Sequence, residues 1–200
     1  MHEHYYSEKP TSEIREKAFR ETYNNKTLEF VSVSGVFAFE NRIDKASRLL
    51  IETFRPHGHT VLDMGCGYGA IGLFLKALYP QLIVTLTDIN ERAVLYARKN
   101  AERNNLWVKV FRGDLYESVG DSCFDDIVTN PPVTAGKKVV TRLIQEAAEH
   151  LNNGGAFWLV AFHNKGGSTY RKIMEDTFGK VEDVKKQGGI RVYRSYLRKD

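Results

Sequence analysis

The sequence predicts an α/β fold, a mostly parallel sheet with helices on both faces, and three observations carry that prediction. From residue 60 onward, short apolar runs alternate with stretches whose apolar residues recur at three-to-four spacing, as expected of parallel strands joined by helical crossovers. One of these runs passes directly into a glycine-rich turn and then a helical pattern, in Val61-Leu62-Asp63-Met64-Gly65-Cys66-Gly67-Tyr68-Gly69-Ala70. Near the end, two strand-like runs are joined by Gln187-Gly188-Gly189, a hairpin signal.

In order, strands are predicted at 60–63, 83–88, 108–112, 124–129 and 156–161, with helices at 70–78, 91–104 and 137–151 between them. A helix at 169–178 then leads to an antiparallel hairpin of 181–184 and 190–197. Ahead of this core, residues 12–22 read as a charged helix, and 26–39 alternates as two short strands turning at Ser34-Gly35. Asp44 caps a further helix with apolar positions Ala46, Leu49, Leu50 and Phe54, ended by the breakers Pro56 and Gly58. The predicted organisation is one domain over 1–200, with an N-terminal extension at 1–56 and a core at 57–200. Trp107 and Trp158 fall at strand positions and are expected in the core.

With 42% hydrophobic and 27% charged residues, the composition excludes disorder, collagen and coiled coil. Cys66 and Cys123 are too few for a disulfide framework and too isolated for a zinc site. His57 and His59 flank Gly58 with no further ligand nearby and read as surface histidines, so no metal is expected. The first ten residues carry charge from the third onward and lack an apolar stretch, so no secretory signal is expected. The uncharged apolar-rich runs, such as 77–87, fall short of the ~18–20 residues that span a bilayer, and a cytoplasmic protein is the expectation. The net charge of +4 is concentrated at the end. Residues 185–200 hold six basic residues (Lys185, Lys186, Arg191, Arg194, Arg198, Lys199) against one acid. Such a segment either neutralises phosphates or protects a sheet edge, and charge alone leaves both open.

Four sites carry chemistry. Glycines at 65, 67 and 69 let the backbone turn tightly and approach a ligand, and the following helix N-terminus favours negative charge, which suits a nucleotide-type cofactor. Gly65, Gly67 and Ala70 also fit the dinucleotide pattern. Asp88 ends the next strand nineteen residues after Gly69, where an acid can accept both ribose hydroxyls; it could also cap the helix that follows, with Glu91 three residues on. Asp114 sits past the end of another strand, where its carboxylate could accept from an adenine amino group or serve as a surface turn acid. Asn130-Pro131-Pro132-Val133 follows the strand at 124–129, and its two prolines remove donors while leaving carbonyls to face a substrate. An exocyclic amine is a poor nucleophile because its lone pair is delocalised. If the Asn130 oxygen and the Pro131 carbonyl each accept one N–H, the lone pair can be aimed at an incoming methyl group.

Taken together, Asp63-Met64-Gly65-Cys66-Gly67-Tyr68-Gly69, Asp88, Asp114 and Asn130-Pro131-Pro132 resemble the class I S-adenosylmethionine-dependent methyltransferases. Within them the chain resembles the small-domain methyltransferases related to bacterial small-subunit ribosomal RNA guanine-N2 methyltransferases and their stand-alone archaeal relatives. The resemblance extends to Tyr5-Tyr6-Ser7-Glu8-Lys9-Pro10, to Ser34-Gly35-Val36-Phe37 followed by Asp44, and to Ala135-Gly136-Lys137.

The resemblance implies a Rossmann-like seven-stranded sheet with S-adenosylmethionine over its carboxyl edge. It implies that Asp63, Gly65, Gly67 and Gly69 face the methionine portion, Asp88 the ribose and Asp114 the adenine amino group, with Cys66, Ile89 and Leu115 also binding the cofactor. Asn130, Pro131 and Pro132 would be catalytic, with Asn130 also bordering the cofactor, and Phe37, Val133, Lys137 and Arg191 would bind the substrate. The implied activity is N-methylation of an exocyclic amine, guanine N2 of ribosomal RNA before others, with RNA or a small ribosomal subunit as partner. Ala46-Ser47 stands where the family tends to have Gly-Thr. Val133 stands where adenine and protein-glutamine N-methyltransferases usually place an aromatic, which points away from those two rivals. An RNA-binding or assembly module that keeps the pocket without turnover is the reading from another class, and the intact Asn130-Pro131-Pro132 speaks against it.

Overall fold

The computed structural model describes residues 10–131 and 136–198. Among them, the elements in chain order are β1 (Glu16–Tyr23), β2 (Lys26–Val33), α1 (Lys45–Thr53), β3 (Thr60–Met64), α2 (Ala70–Leu78), β4 (Ile83–Asp88) and α3 (Glu91–Arg103). They continue with β5 (Lys109–Arg112), β6 (Phe124–Thr129), α4 (Lys137–Glu146), β7 (Leu151–Phe162), α5 (Ser168–Phe178), β8 (Glu182–Gln187) and β9 (Ile190–Tyr196).

Seven of the described strands form one sheet in the order β5-β4-β3-β6-β7-β9-β8. The first five are parallel, and β9 lies antiparallel between β7 and β8. Crossover helices cover both faces, and the central strands are accordingly buried along nearly their whole length. One core layer holds Leu50, Phe54, Phe74, Val128 and Trp158, and the opposite layer holds Leu62, Ile127, Leu143, Phe157 and Met174. Strand β8 forms an edge, and its exposed Lys185 and Lys186 discourage pairing with another chain. Arg194 is committed inward: it pairs with Glu182 at 2.6 Å and lies over the rings of Trp158 and Tyr196. No described helix is long and apolar enough to cross a membrane.

Several expectations need correction. Residues 12–22 form no helix; 16–23 are strand β1, paired with β2 along its full length. The helix-favouring Glu, Lys, Arg and Ala lose to a two-residue Asn24-Asn25 turn, both at positive φ (48° and 61°), which closes a hairpin, and to the stacking of Phe19 on Phe30. The hairpin turn is therefore at 24–25, and Ser34-Gly35 instead ends β2. Helix α4 stops at Glu146, and Leu151 opens β7 by pairing with Phe124. Trp107 is 71% exposed, because it precedes β5 in a loop at the sheet's edge, whereas Trp158 is buried as expected.

Two side-chain amides fasten the hairpin to the core. Asn100 Oδ1 accepts from Val31 N (2.9 Å), and its Nδ2 donates to Val31 O (3.1 Å) and Tyr68 O (2.9 Å). Four residues on, Asn104 repeats the pattern with Glu29 N (2.8 Å) and Glu29 O (2.7 Å). Four helical residues rise ~6 Å and two strand residues ~6.7 Å, so a helix can meet every second peptide of a strand. Replacing Asn100 by Ala orphans three backbone groups in a fully buried place. The expected loss is about 3 kcal/mol of unfolding free energy in a urea titration, with the slope unchanged.

Candidate active site

The site is built at the carboxyl ends of β3, β4 and β6, the edge where open parallel sheets bind ligands. After Met64 the chain turns through Gly65 (φ 72°), whose missing side chain would stand in open space, and Gly69 (φ 93°), whose added carbon would press on Leu73 and Ala97. The first glycine keeps the ligand's path open, and the last lets α2 pack closely against α3. Gly65 N and Cys66 N both donate to Thr87 O (2.9 and 3.0 Å), and Gly67 N donates to Asp88 Oδ2 (2.8 Å). Asp88 Oδ1 accepts from Asn90 N (2.9 Å). Asn90 itself, not Asp88, caps α3. Burial lifts the Asp88 carboxyl to about 6, against the backbone N–H groups of Asn90, Gly67 and Ile89 that hold it down.

Asp63 lies beneath the turn and is fully buried. Its Oδ2 accepts from Gly72 N (2.8 Å), while its Oδ1 has no hydrogen-bond partner. Burial raises its pKa to about 7, opposed by the Gly72 bond and aided by the charge of Asp88. Burial, then the charges of Asp88 and Asp63, likewise push the Cys66 thiol up.

A cleft of about 590 Å³ opens over the turn. Ile89, Ala93, Leu115 and Leu143 give it apolar lining, Val36 and Phe37 contribute from the segment after β2, and Asp88 and Asn130 are its polar groups. A smaller cavity of about 310 Å³ is lined by Asp44, Ser47, Cys66 and Tyr68 and shares Phe37, Gly65, Gly67 and Asn130 with the first. The segment after β2 is tied to α3, since Asn90 Nδ2 donates to Gly35 O (2.8 Å) and the buried Arg92 donates to Ser34 O (2.7 Å) and Ser12 O (2.9 Å).

At the end of β6, Asn130 Nδ2 donates to Ser47 Oγ (2.9 Å) and Asp44 Oδ1 (3.3 Å). Pro131 follows and is buried, while the expected Pro132 and Val133 lie outside the described residues. Asp114 is absent from the lining. Its Oδ2 takes Arg142 Nη1 (3.2 Å) beside Gly113 and Leu115, which do line the cleft. Lys137 is exposed at the start of α4. Arg191 pairs with Ala161 and Lys186, two rungs beyond Leu159, the partner of Thr129; it therefore sits on the carboxyl edge, whereas Arg194 pairs back toward Trp158. The basic segment is thus divided along β9. Sequence reasoning gave no role to Ser47, Arg92 or Arg142, whose partners lie far away in the chain. No group of metal-ligating side chains occurs among the described residues.

This sheet order, with a glycine turn after its central first strand and an acid ending the next, defines a class I methyltransferase fold. The chain belongs to the family of the methyltransferase small domain, whose model matches residues 27–194. It is 39% identical over 199 residues to the uncharacterized protein YbxB of Bacillus subtilis (strain 168), covering 98% of each chain. It is 32% identical over 182 residues to the ribosomal RNA small subunit methyltransferase C of Erwinia tasmaniensis, covering 88% of this chain and 52% of that one. Among solved structures, the T. Thermophilus 16S rRNA N2 methyltransferase RsmC, in complex with AdoMet and guanosine, superposes with a TM-score of 0.82 at 29% identity. That alignment covers 94% of this chain and 52% of the other, so the chain spans about half the length of these rRNA methyltransferases.

The raised carboxyl of Asp63 sets a pH dependence. A folded pKa near 7 against ~3.9 unfolded means that folding takes up a proton, so this group's contribution to stability is greatest below pH ~4 and falls as pH rises to 7. Unfolding titrations should show Asp63→Asn gaining on wild type by on the order of 3 kcal/mol between pH 4 and 7.

Proposed function

We propose that the chain is a cytoplasmic N-methyltransferase that uses S-adenosylmethionine to methylate an exocyclic amine, guanine N2 of ribosomal RNA. The observation that carries this reading is the place of Asn130, which borders both cavities where they meet at the glycine turn.

The residues present fit the cofactor. The Asp88 carboxylate accepts from backbone N–H groups, Gly67 on Oδ2 and Asn90 on Oδ1, and keeps lone pairs for ribose hydroxyls. Ile89 and Leu115 offer apolar surface for a flat base, with Asp114, steadied by Arg142, assigned to its amino group. Gly65, Gly67 and Gly69 bring backbone close to the methionine portion, with Cys66 in the smaller cavity and Asp63 supporting the turn from below. Two buried polar atoms without partners, Asp63 Oδ1 and Tyr68 OH, lie around this turn. When bound, the cofactor supplies an electrophilic methyl group on a sulfonium.

The chain's own work is to bind and orient the amine. Asn130 Oδ1 and Pro131 O would accept its two N–H groups and turn the lone pair out of the ring plane; as the N–C bond forms the methyl–sulfur bond would break, and one amine proton would pass to solvent. Phe37 and Val133 are assigned to the base, and Lys137 and Arg191 to phosphates along the carboxyl edge. The RNA assignment draws on the names of the rRNA methyltransferase relatives.

Transfer of labelled methyl to unmodified small-subunit RNA and to subunits, followed by nucleoside analysis, tests the reading. N2-methylguanosine is the expected product. Label in N6-methyladenosine or in protein glutamine would replace the acceptor, and intact cofactor binding without label on any of them would overturn the activity. Asn130→Ala should lower kcat by ~100-fold or more while cofactor affinity stays within about threefold.

A further inference from the structure

We propose that Asp44 and Ser47, at the start of α1, are positioning residues that fix which end of the Asn130 amide faces the substrate, and so restrict the acceptor to an N–H donor. The inference rests on the N-methyltransferase reading above. The two ends of an asparagine amide have nearly the same shape, but only the oxygen can accept from an amine; a flipped amide would present donors to donors. Nothing in an isolated Asn-Pro loop chooses between them.

Helix α1 makes the choice. Asp44 Oδ1 already accepts from Ala46 N and Ser47 N (both 3.0 Å) as the cap of the helix, so its position is set by backbone. An ionised carboxylate has no proton to give, so the Asn130 atom that approaches it must be the amide nitrogen. Ser47 Oγ, buried and 2.9 Å away, accepts the other proton. Both donors of Asn130 are spent on α1, and the side chain offers its remaining partner an acceptor only. The carboxylate also polarises the amide, enriching Oδ1 in negative charge at the place where positive charge develops on an amine during methylation. An oxyanion or ring-nitrogen acceptor would meet a lone pair there, whereas a primary amine meets its complement.

The test has two readouts. In NMR hydrogen exchange, the Asn130 side-chain amide protons should exchange about tenfold or more slowly than those of the exposed Asn164, and Ser47→Ala should release one of them. In single-turnover transfer from labelled S-adenosylmethionine to in vitro transcribed small-subunit RNA, Ser47→Ala should be about tenfold slower, with cofactor Kd within about threefold and a thermal midpoint lower by only ~2–4 °C. Ser47→Thr should restore most of the rate. Asp44→Asn, which keeps a capping oxygen but removes the charge, should fall between.

Unprotected Asn130 protons, or a wild-type rate in Ser47→Ala, would overturn the proposal. So would a Ser47→Ala defect confined to cofactor Kd, which would make Ser47 a cofactor contact. If the wild-type protein methylates no RNA, the N-methyltransferase reading fails separately, and the amide exchange still decides the orientation.

Discussion

The bond from Gly67 N to Asp88 is the constraint on which the site depends. A turn of three left-handed glycines is packed only through Cys66 and Tyr68, and its backbone needs partners to hold its shape. Here its amides are taken up by the end of β4, two on Thr87 O and one on the Asp88 carboxylate. The same carboxylate orients Asn90, which caps α3 and reaches Gly35 behind the cleft wall. Turn, helix start and wall are thereby registered on one side chain, and removing it would disturb all three together.

The central fold was legible because its signals are local. Strand β4, helix α2 and strand β6 have the bounds that periodicity predicts, since each is an apolar run closed by a breaker or a polar residue. The N-terminal hairpin was misread because its stability is tertiary. Phe19, Glu21 and Tyr23 alternate as a strand requires, yet Glu16, Lys17, Ala18 and Arg20 suit a helix equally well, and only Phe30 and α3 decide the matter. Trp107 illustrates the opposite error, a large ring placed inside by residue type although the sheet ends beside it.

Within the site, sequence reasoning found Asp88, the glycines and Asn130, because each is adjacent in the chain to a strand that ends there. It did not find Ser47, Arg92 or Arg142, which act across 83, 58 and 28 residues of chain. It assigned Asp63 to the cofactor as well; in the structure one of its oxygens takes Gly72 N and the other has no partner. Acids that end neighbouring strands look alike in sequence. Their burial separates them, one supporting the turn and the other lining the cleft.

The amides of Asn100 and Asn104 hold β2 at alternate residues, Val31 and Glu29. A strand gripped at every second peptide can slide only in steps of two. A slip by one would present the opposite edge of the backbone and turn Phe30, with the other inward-facing side chains, out to water. The helix therefore acts as a ratchet with coarse teeth. Since its bonds join residues 69 and 75 positions apart, the register of the hairpin is tied to distant chain as well as to its own turn.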